Sequence, residues 1–211
     1  ANTTQSLSIN YNPSSSNSIN LITDGSGNTA ANFSKINPSI LESRQSLTVL
    51  PDQYRELKLI GTSAINGVGN NAANTLTGNN ANNVLEGGVG ADILTGFSGS
   101  DVFRYTKLSD SLLANYDKIT DFAIGTDQID GPNTINSQSI LRAGQVSDLT
   151  EGALQKVLPS TLFIANGAAT FTYGSRTFLA LNDANNGFSA SRDAIIELTG
   201  YTGNLQSLNI I

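Results

Sequence analysis

The sequence predicts a mainly β chain, with a stacked repeat at its centre and a β-rich C-terminal part that holds one short helix. Three observations point there. A nine-residue period begins at Gly69. Short segments on either side of it alternate apolar and polar residues, which is the period of a half-buried strand. Charged residues make up only 13% of the 211, and Asn, Ser, Thr and Gly stand in their place. That mix suits a fold with many turns, because Asn and Gly tolerate positive φ.

Residues 7–11 and 19–21 alternate cleanly and read as strands, with a Pro/Ser/Asn loop over 12–18 between them. Residues 24–28 read as a turn. Residues 37–41 are expected to open a short helix, and 47–50 to form a strand that stops at Pro51. Residues 57–59 read as the first strand of the repeat region. The repeat units are 69–77, 78–86, 87–95 and 96–104, each opened by a glycine. Asn74, Asn83, Asp92 and Asp101 take the sixth place, and Leu76, Leu85, Leu94 and Phe103 the eighth. Further on, Asp148-Leu149-Thr150-Glu151 reads as a capping box with Asp148 as N-cap. The apolar stripe Leu149, Ala153, Leu154, Val157, Leu158 then gives a helix that ends before Pro159. Residues 170–173 and 176–181 flank Gly174-Ser175 as a hairpin. Residues 194–198 read as a further strand and 205–211 as a last short one.

Composition narrows the function. The net charge is −6 and no basic patch is present, which argues against a nucleic-acid partner. His, Cys, Met and Trp are absent, so disulfides, thiolate or imidazole catalysis and a Cys/His zinc site are excluded. No apolar run approaches the roughly 18 residues of a membrane span. Asp92, Asp101, Asp110, Asp117, Asp121, Asp127 and Asp130 fall in one stretch, with only Arg104, Lys107 and Lys118 among them. Clustered carboxylates make either a solvated face or a hard-cation site, and oxygen ligands suit calcium. An enzyme of this composition would need a carboxylate pair or a Ser–Lys arrangement. Asp117 and Asp121 are such a pair by type, but their spacing belongs to a motif described next. Gly67-Val68-Gly69 is no dinucleotide loop, since no helix follows it. The chain therefore reads as no enzyme.

The nonapeptide resembles the RTX, or haemolysin-type calcium-binding, repeat. In that family Gly-Gly-x-Gly-x-Asp forms a turn, the next three residues form a short strand, and two units make one coil of a parallel β-roll. The resemblance implies a short parallel β-roll over 57–104, with calcium between turns eighteen residues apart. Turn 69–74 should lie under 87–92, and 78–83 under 96–101. Gly87, Gly90 and Asp92 match the pattern well; Asn74 and Asn83 replace Asp with an uncharged amide, and Phe97 stands where a glycine belongs. Asp110 lies eighteen residues beyond Asp92 and is expected to share its ion. Asp101 is expected to share one with Asp117 or a neighbour. The spacing Asp117-x-Ile119-x-Asp121-Phe122-x-x-Gly125-x-Asp127-x-Ile129-Asp130 resembles the sequence that closes RTX rolls, which implies that Ile119, Phe122, Ile124 and Ile129 cap the open end.

Residues 105–211 resemble the cyanobacterial bluetail domain, through Arg176 to Asp183, Gly187-Phe188, Asp193 to Glu197 and Thr199 to Gly203. That likeness implies export and a cyanobacterial source, and no reaction. Asp183 and Asp193, around Asn185-Asn186-Gly187, are candidates for a second calcium. The expected organisation is an extension over 1–56, a roll over 57–104, and a cap with the C-terminal domain over 105–211. The expected function is a secreted calcium-binding structural protein of the cell surface or matrix. Its expected partner is itself, through the strand at 7–11 added to a neighbour's sheet; the alternative, which sequential economy favours, is that this strand pairs with the chain's own C-terminal sheet. The rival reading is the secretion and folding module of a type I exported protein.

Overall fold

The computed structural model describes residues 40–132 and 140–211, all within the unit Pro38–Ile211. The strands expected at 7–11 and 19–21 and the turn at 24–28 lie outside the described residues. The strands are β1 (Ile40–Ser43), β2 (Glu56–Leu59), β3 (Gly67–Val68), β4 (Thr75–Thr77), β5 (Val84–Glu86), β6 (Ile93–Thr95), β7 (Val102–Arg104), β8 (Asp117–Ile119), β9 (Gln128–Asp130) and β10 (Leu141–Gln145). Helix α1 (Glu151–Val157) follows, then β11 (Ala168–Tyr173), β12 (Arg176–Leu181) and β13 (Ala194–Leu198).

The chain from β2 to β9 passes back and forth between two sheets, so that each pair of strands completes one coil of a parallel β-roll. One sheet runs β1-β2-β4-β6-β8 and continues through β13-β12-β11-β10; the other is β3-β5-β7-β9. Each nonapeptide gives a six-residue turn and a three-residue strand. Only the middle residue of such a strand faces inward, since successive side chains alternate. Leu76, Leu85, Leu94 and Phe103 are accordingly fully buried. The register holds the apolar ladder Leu57, Leu76, Leu94, Ile119 on one sheet. Leu85, Phe103 and Ile129 form the ladder on the other. Ile119, Phe122 and Ile129 are fully buried, and Ile124 packs against the same core.

In the repeats the coil advances eighteen residues, as in the pairing of Thr75 with Ile93. Beyond β7 it lengthens. Ile93 pairs with Lys118, and the backbone of Asp92 with the side chain of Asp117, an advance of 25 residues. The extra residues form two 3-10 turns, Leu108–Ser111 and Leu113–Asn115.

The C-terminal strands join this sheet where β13 pairs in parallel with β8. The β11–β12 hairpin turns at Gly174, whose φ of 59° is left-handed. Strands β12 and β13 are covered on both faces, which suits near-continuous apolar sequence. Leu179, Leu181, Ile196 and Leu198 face the roll core. Phe171, Phe178, Ala180 and Ile195 face a second core closed by Leu154 and Leu158 of the helical segment.

Four local expectations are corrected. The segment after residue 39 is a strand, because Ile40 to Ser43 pair with Glu56 to Leu59 along the edge of β2. Residues 47–50 make no strand; Leu47 forms a single bridge to Gly67. The helix is capped by Thr150, whose side chain accepts from Ala153 N, while Asp148 accepts from Thr150 N. Residues 205–211 give a 3-10 turn, Leu205–Ser207, and one bridge between Ile210 and Ile129.

Candidate metal centre

The sixth-place side chains form two ladders, one on each side of the roll. On the first, Asp92 Oδ1 accepts from Asn74 N at 2.6 Å, and Asp117 Oδ1 accepts from Asp92 N at 2.8 Å. On the second, Asp101 Oδ1 accepts from Asn83 N at 2.8 Å, and Asp127 Oδ1 accepts from Asp101 N at 2.9 Å. Each carboxylate is thus fixed by the backbone of the coil below. The other oxygen is a different matter. Asp92 Oδ2, Asp101 Oδ2 and Asp117 Oδ2 are buried and have no hydrogen-bond partner. The buried Tyr105 hydroxyl lies close to Asp117 without meeting hydrogen-bond geometry.

Isolated buried charge is costly, so such groups bind protons or cations instead. Burial pushes Asp117 up to about 9, and the charges of Asp92 and Asp110 add to that. Burial likewise pushes Asp101 up to about 7 and Asp92 to about 6, and raises Asp127. Among the described residues no ion pair with Lys or Arg reaches these four carboxylates.

Two glycines make the turns tight enough. A Cβ on Gly87 would stand 2.4 Å from Asp92 Oδ2. Gly90, at φ +150°, brings its backbone against the Ala72 carbonyl of the turn below; a Cβ there would lie 2.8 Å from that oxygen.

The remaining candidates fall into place around the ladders. Asp110 is buried in the first 3-10 turn, where its Oδ2 accepts from Lys107 N. It is near enough to Asp92 to raise it, while the next ladder bond, from Asp92 N, goes to Asp117, because the 3-10 insertion lengthens that coil. Asp101 likewise stacks with Asp127 and not with Asp117, which is on the opposite ladder. Asp121 receives Gly96 N at 3.0 Å and Phe97 N at 2.8 Å and thereby holds Phe97 at φ 68°. Asn74 and Asn83 accept from Asn70 N and Asn79 N. At the second expected site, Asp193 accepts from Asp183 N and Ser189 N, and Asp183 accepts from Asn185 and from Arg192 at 2.8 Å. A guanidinium already supplies the cation there, so these bonds suit a closed turn.

The family model for the C-terminal part of serralysins, peptidases of the M10 class, matches residues 12–200. The chain belongs to this serralysin C-terminal family. No curated protein matches it. For a member of this family the implied group is calcium, and the residues present fit it. The donors are oxygens, three of them buried orphans. Among the described residues no three acidic side chains converge on one point. Backbone carbonyls at the turns would have to complete a calcium shell, as calcium readily allows.

Asp127 is the ladder member that sequence reading left out. The signal was there: Asp92, Asp101, Asp117 and Asp127 each stand two residues before a buried apolar side chain, namely Leu94, Phe103, Ile119 and Ile129. The relation between sixth and eighth place survives where the nine-residue count does not.

Proposed function

We propose that the chain is a calcium-built folding module of an exported protein, without a reaction of its own. The observation that carries this reading is the set of orphaned, buried oxygens of Asp92, Asp101 and Asp117 on two ordered ladders. Asp92 and Asp117 would hold one ion, and Asp101 and Asp127 another, with Asp110 and Asp121 adding negative charge nearby. Carbonyls of turns such as Gly87 to Gly90 would fill the remaining positions. Calcium bound to the folded state alone stabilises it by mass action, about 2.7 kcal/mol at a hundredfold excess over the dissociation constant. Serralysin-type C-terminal domains belong to type I secreted proteins, and that membership supports export. A module that gains its stability from calcium would fold where calcium is plentiful.

The test is thermal unfolding of the full chain with calcium and with chelator. Chelation is expected to lower the melting temperature. Asp92→Ala should lower both calcium affinity and melting temperature more than Asp148→Ala, a change at an exposed turn. A melting temperature indifferent to chelator, or equal effects of the two substitutions, would overturn the reading.

The narrower reading is a cell-surface or matrix protein that self-associates into filaments through residues 7–11, in keeping with the bluetail-like C-terminal sequence. One observation favours it. Among the described residues the nine-stranded sheet ends at β1 and β10, each with one side unpaired. Such edges accept an added strand.

A further inference from the structure

The ladders change character along the roll. In the asparagine turns the side-chain oxygens at the second and sixth places are satisfied from within. Asn74 Oδ1 accepts from Asn70 N at 2.7 Å, and Asn83 Oδ1 from Asn79 N at 2.8 Å. Asn70 Oδ1 accepts from Ala72 N at 3.0 Å, and Asn79 Oδ1 from Ala81 N at 2.9 Å. The amide nitrogens reach down to the preceding coil. Asn83 Nδ2 donates to Ile65 O at 2.6 Å, Asn79 Nδ2 to Ser63 O at 2.9 Å, and Asn70 Nδ2 to Tyr54 O at 3.1 Å. Carbonyls that could face a cation are bridged by N–H groups.

The aspartate turns keep the sixth-place side chain over the opening glycine but lose the closing bond. Asp92 Oδ2 lies over Gly87 just as Asn74 Oδ1 lies over Gly69, at 2.4 and 2.5 Å from the position of a Cβ. The residue whose N–H closes the asparagine turn is replaced by Gly88 at φ +88° and by Phe97 at φ 68°. Phe97 N donates to Asp121 instead, and the Oδ2 atoms of Asp92 and Asp101 are left without a donor. The same turn is thus closed by its own amide in one half of the roll and left open to a cation in the other.

From this we infer that calcium loads only the turns from Gly87 onward, and that the asparagine coil, residues 69–86, is an ion-free base that keeps its fold without metal. The inference rests on the calcium reading and adds where the ions go. The strand amides agree with it, although Gly78 N at the turn donates upward to Thr95 O. Thr75 N donates to Arg55 O, below, so β4 does not depend on the aspartate coil for that bond. Ile93 N and Lys118 N donate to Asn74 O and Asp92 O, each to the coil below it. Metal removal should therefore loosen the roll from the C-terminal side, where Asp117 leads into β8 and hence to β13.

Hydrogen exchange of the full chain, read by mass spectrometry with calcium and with chelator, tests this. Peptides over 93–95 and 117–119 are expected to exchange about a hundredfold faster in chelator than at a hundredfold excess of calcium, whereas 75–77 and 84–86 stay within about threefold. A second measurement needs no chelator. Asn70→Gly with Asn74→Asp opens one asparagine turn, and native mass spectrometry should then count one more calcium than in the parent chain. If 75–77 loses protection as much as 93–95, or the double variant binds no additional ion while remaining folded, the ion-free base is wrong and the calcium reading stands. If the parent chain takes up no calcium and no segment responds to chelator, the calcium reading falls and the inference with it.

Discussion

Asp117 joins the two conditions that most disfavour a carboxylate: it is fully buried, and Asp92 and Asp110 are its charged neighbours. Its folded-state pKa of about 9, with about 7 for Asp101 and about 6 for Asp92, lies above the ordinary 3.8. A raised folded value means that the native state holds more protons than the unfolded chain through that interval. Stability in chelator is therefore greatest near pH 4 and falls as pH rises through about 6, 7 and then 9. Calcium should remove most of that slope, since the ion takes the place of the protons. Melting curves across this range, with and without chelator, check it; a chelated protein as stable at pH 8 as at pH 5 contradicts the assignment. Asp117→Asn should flatten the upper part of the slope and weaken calcium binding together. Which residues carry this behaviour was half legible. The sixth places at Asn74, Asn83, Asp92 and Asp101 follow from counting nines. The partners Asp117 and Asp127 do not, because an inserted loop changes the count while leaving the Asp-x-apolar relation intact.

Within a roll strand three residues divide the labour sharply. Leu94 is fully buried, whereas Ile93 beside it is 42% exposed. Leu94→Ala is expected to cost about 2–5 kcal/mol, the range for a buried leucine, because stacked coils cannot collapse into the gap. Ile93→Ala should cost about 1 kcal/mol or less, the span of strand propensity. Urea unfolding of both variants in saturating calcium makes the comparison; similar losses would mean that the inward and outward assignments are wrong. Element type was legible wherever a period was sustained: the four repeat strands, the β11–β12 hairpin, β13 and the helix all stand where pattern put them. Ends and singletons were not. Ile40 to Ser43 looks like a helix start after Pro38 until β2 offers an edge to pair with. The N-cap fell to Thr150, whose hydroxyl reaches Ala153 N at 3.3 Å, while Glu151 turns outward to Ala190 N.

At the scale of the whole described body, the seam between roll and C-terminal strands decides how it unfolds. Nothing local in the sequence announces that 194–198 will pair with 117–119, since that contact closes a loop of more than seventy residues and is made only by tertiary packing. The seam is welded by charge as well as by the ladder. Glu197 on β13 is buried, receives Arg176 from β12, and lies 3.6 Å from Lys118 on β8. Arg176 also donates to the Tyr116 hydroxyl and stacks over the Phe178 ring at 4.9 Å from its centroid. Burial raises Glu197, yet the guanidinium and the neighbouring donors hold it below the ordinary range, so it remains an acceptor at neutral pH. Because both cations are more than one-third exposed, their pairing is screened. Glu197→Ala should therefore cost about 1–3 kcal/mol, the worth of hydrogen bonds to a charged group and of the donors left behind. A continuous sheet and a shared core then make one expectation for calorimetry. In calcium, the roll and the C-terminal strands melt in a single transition, and Glu197→Ala moves that whole transition to lower temperature. Two resolved transitions, of which the substitution shifts only one, would mean that the sheet is continuous in geometry but divided in energy at this seam.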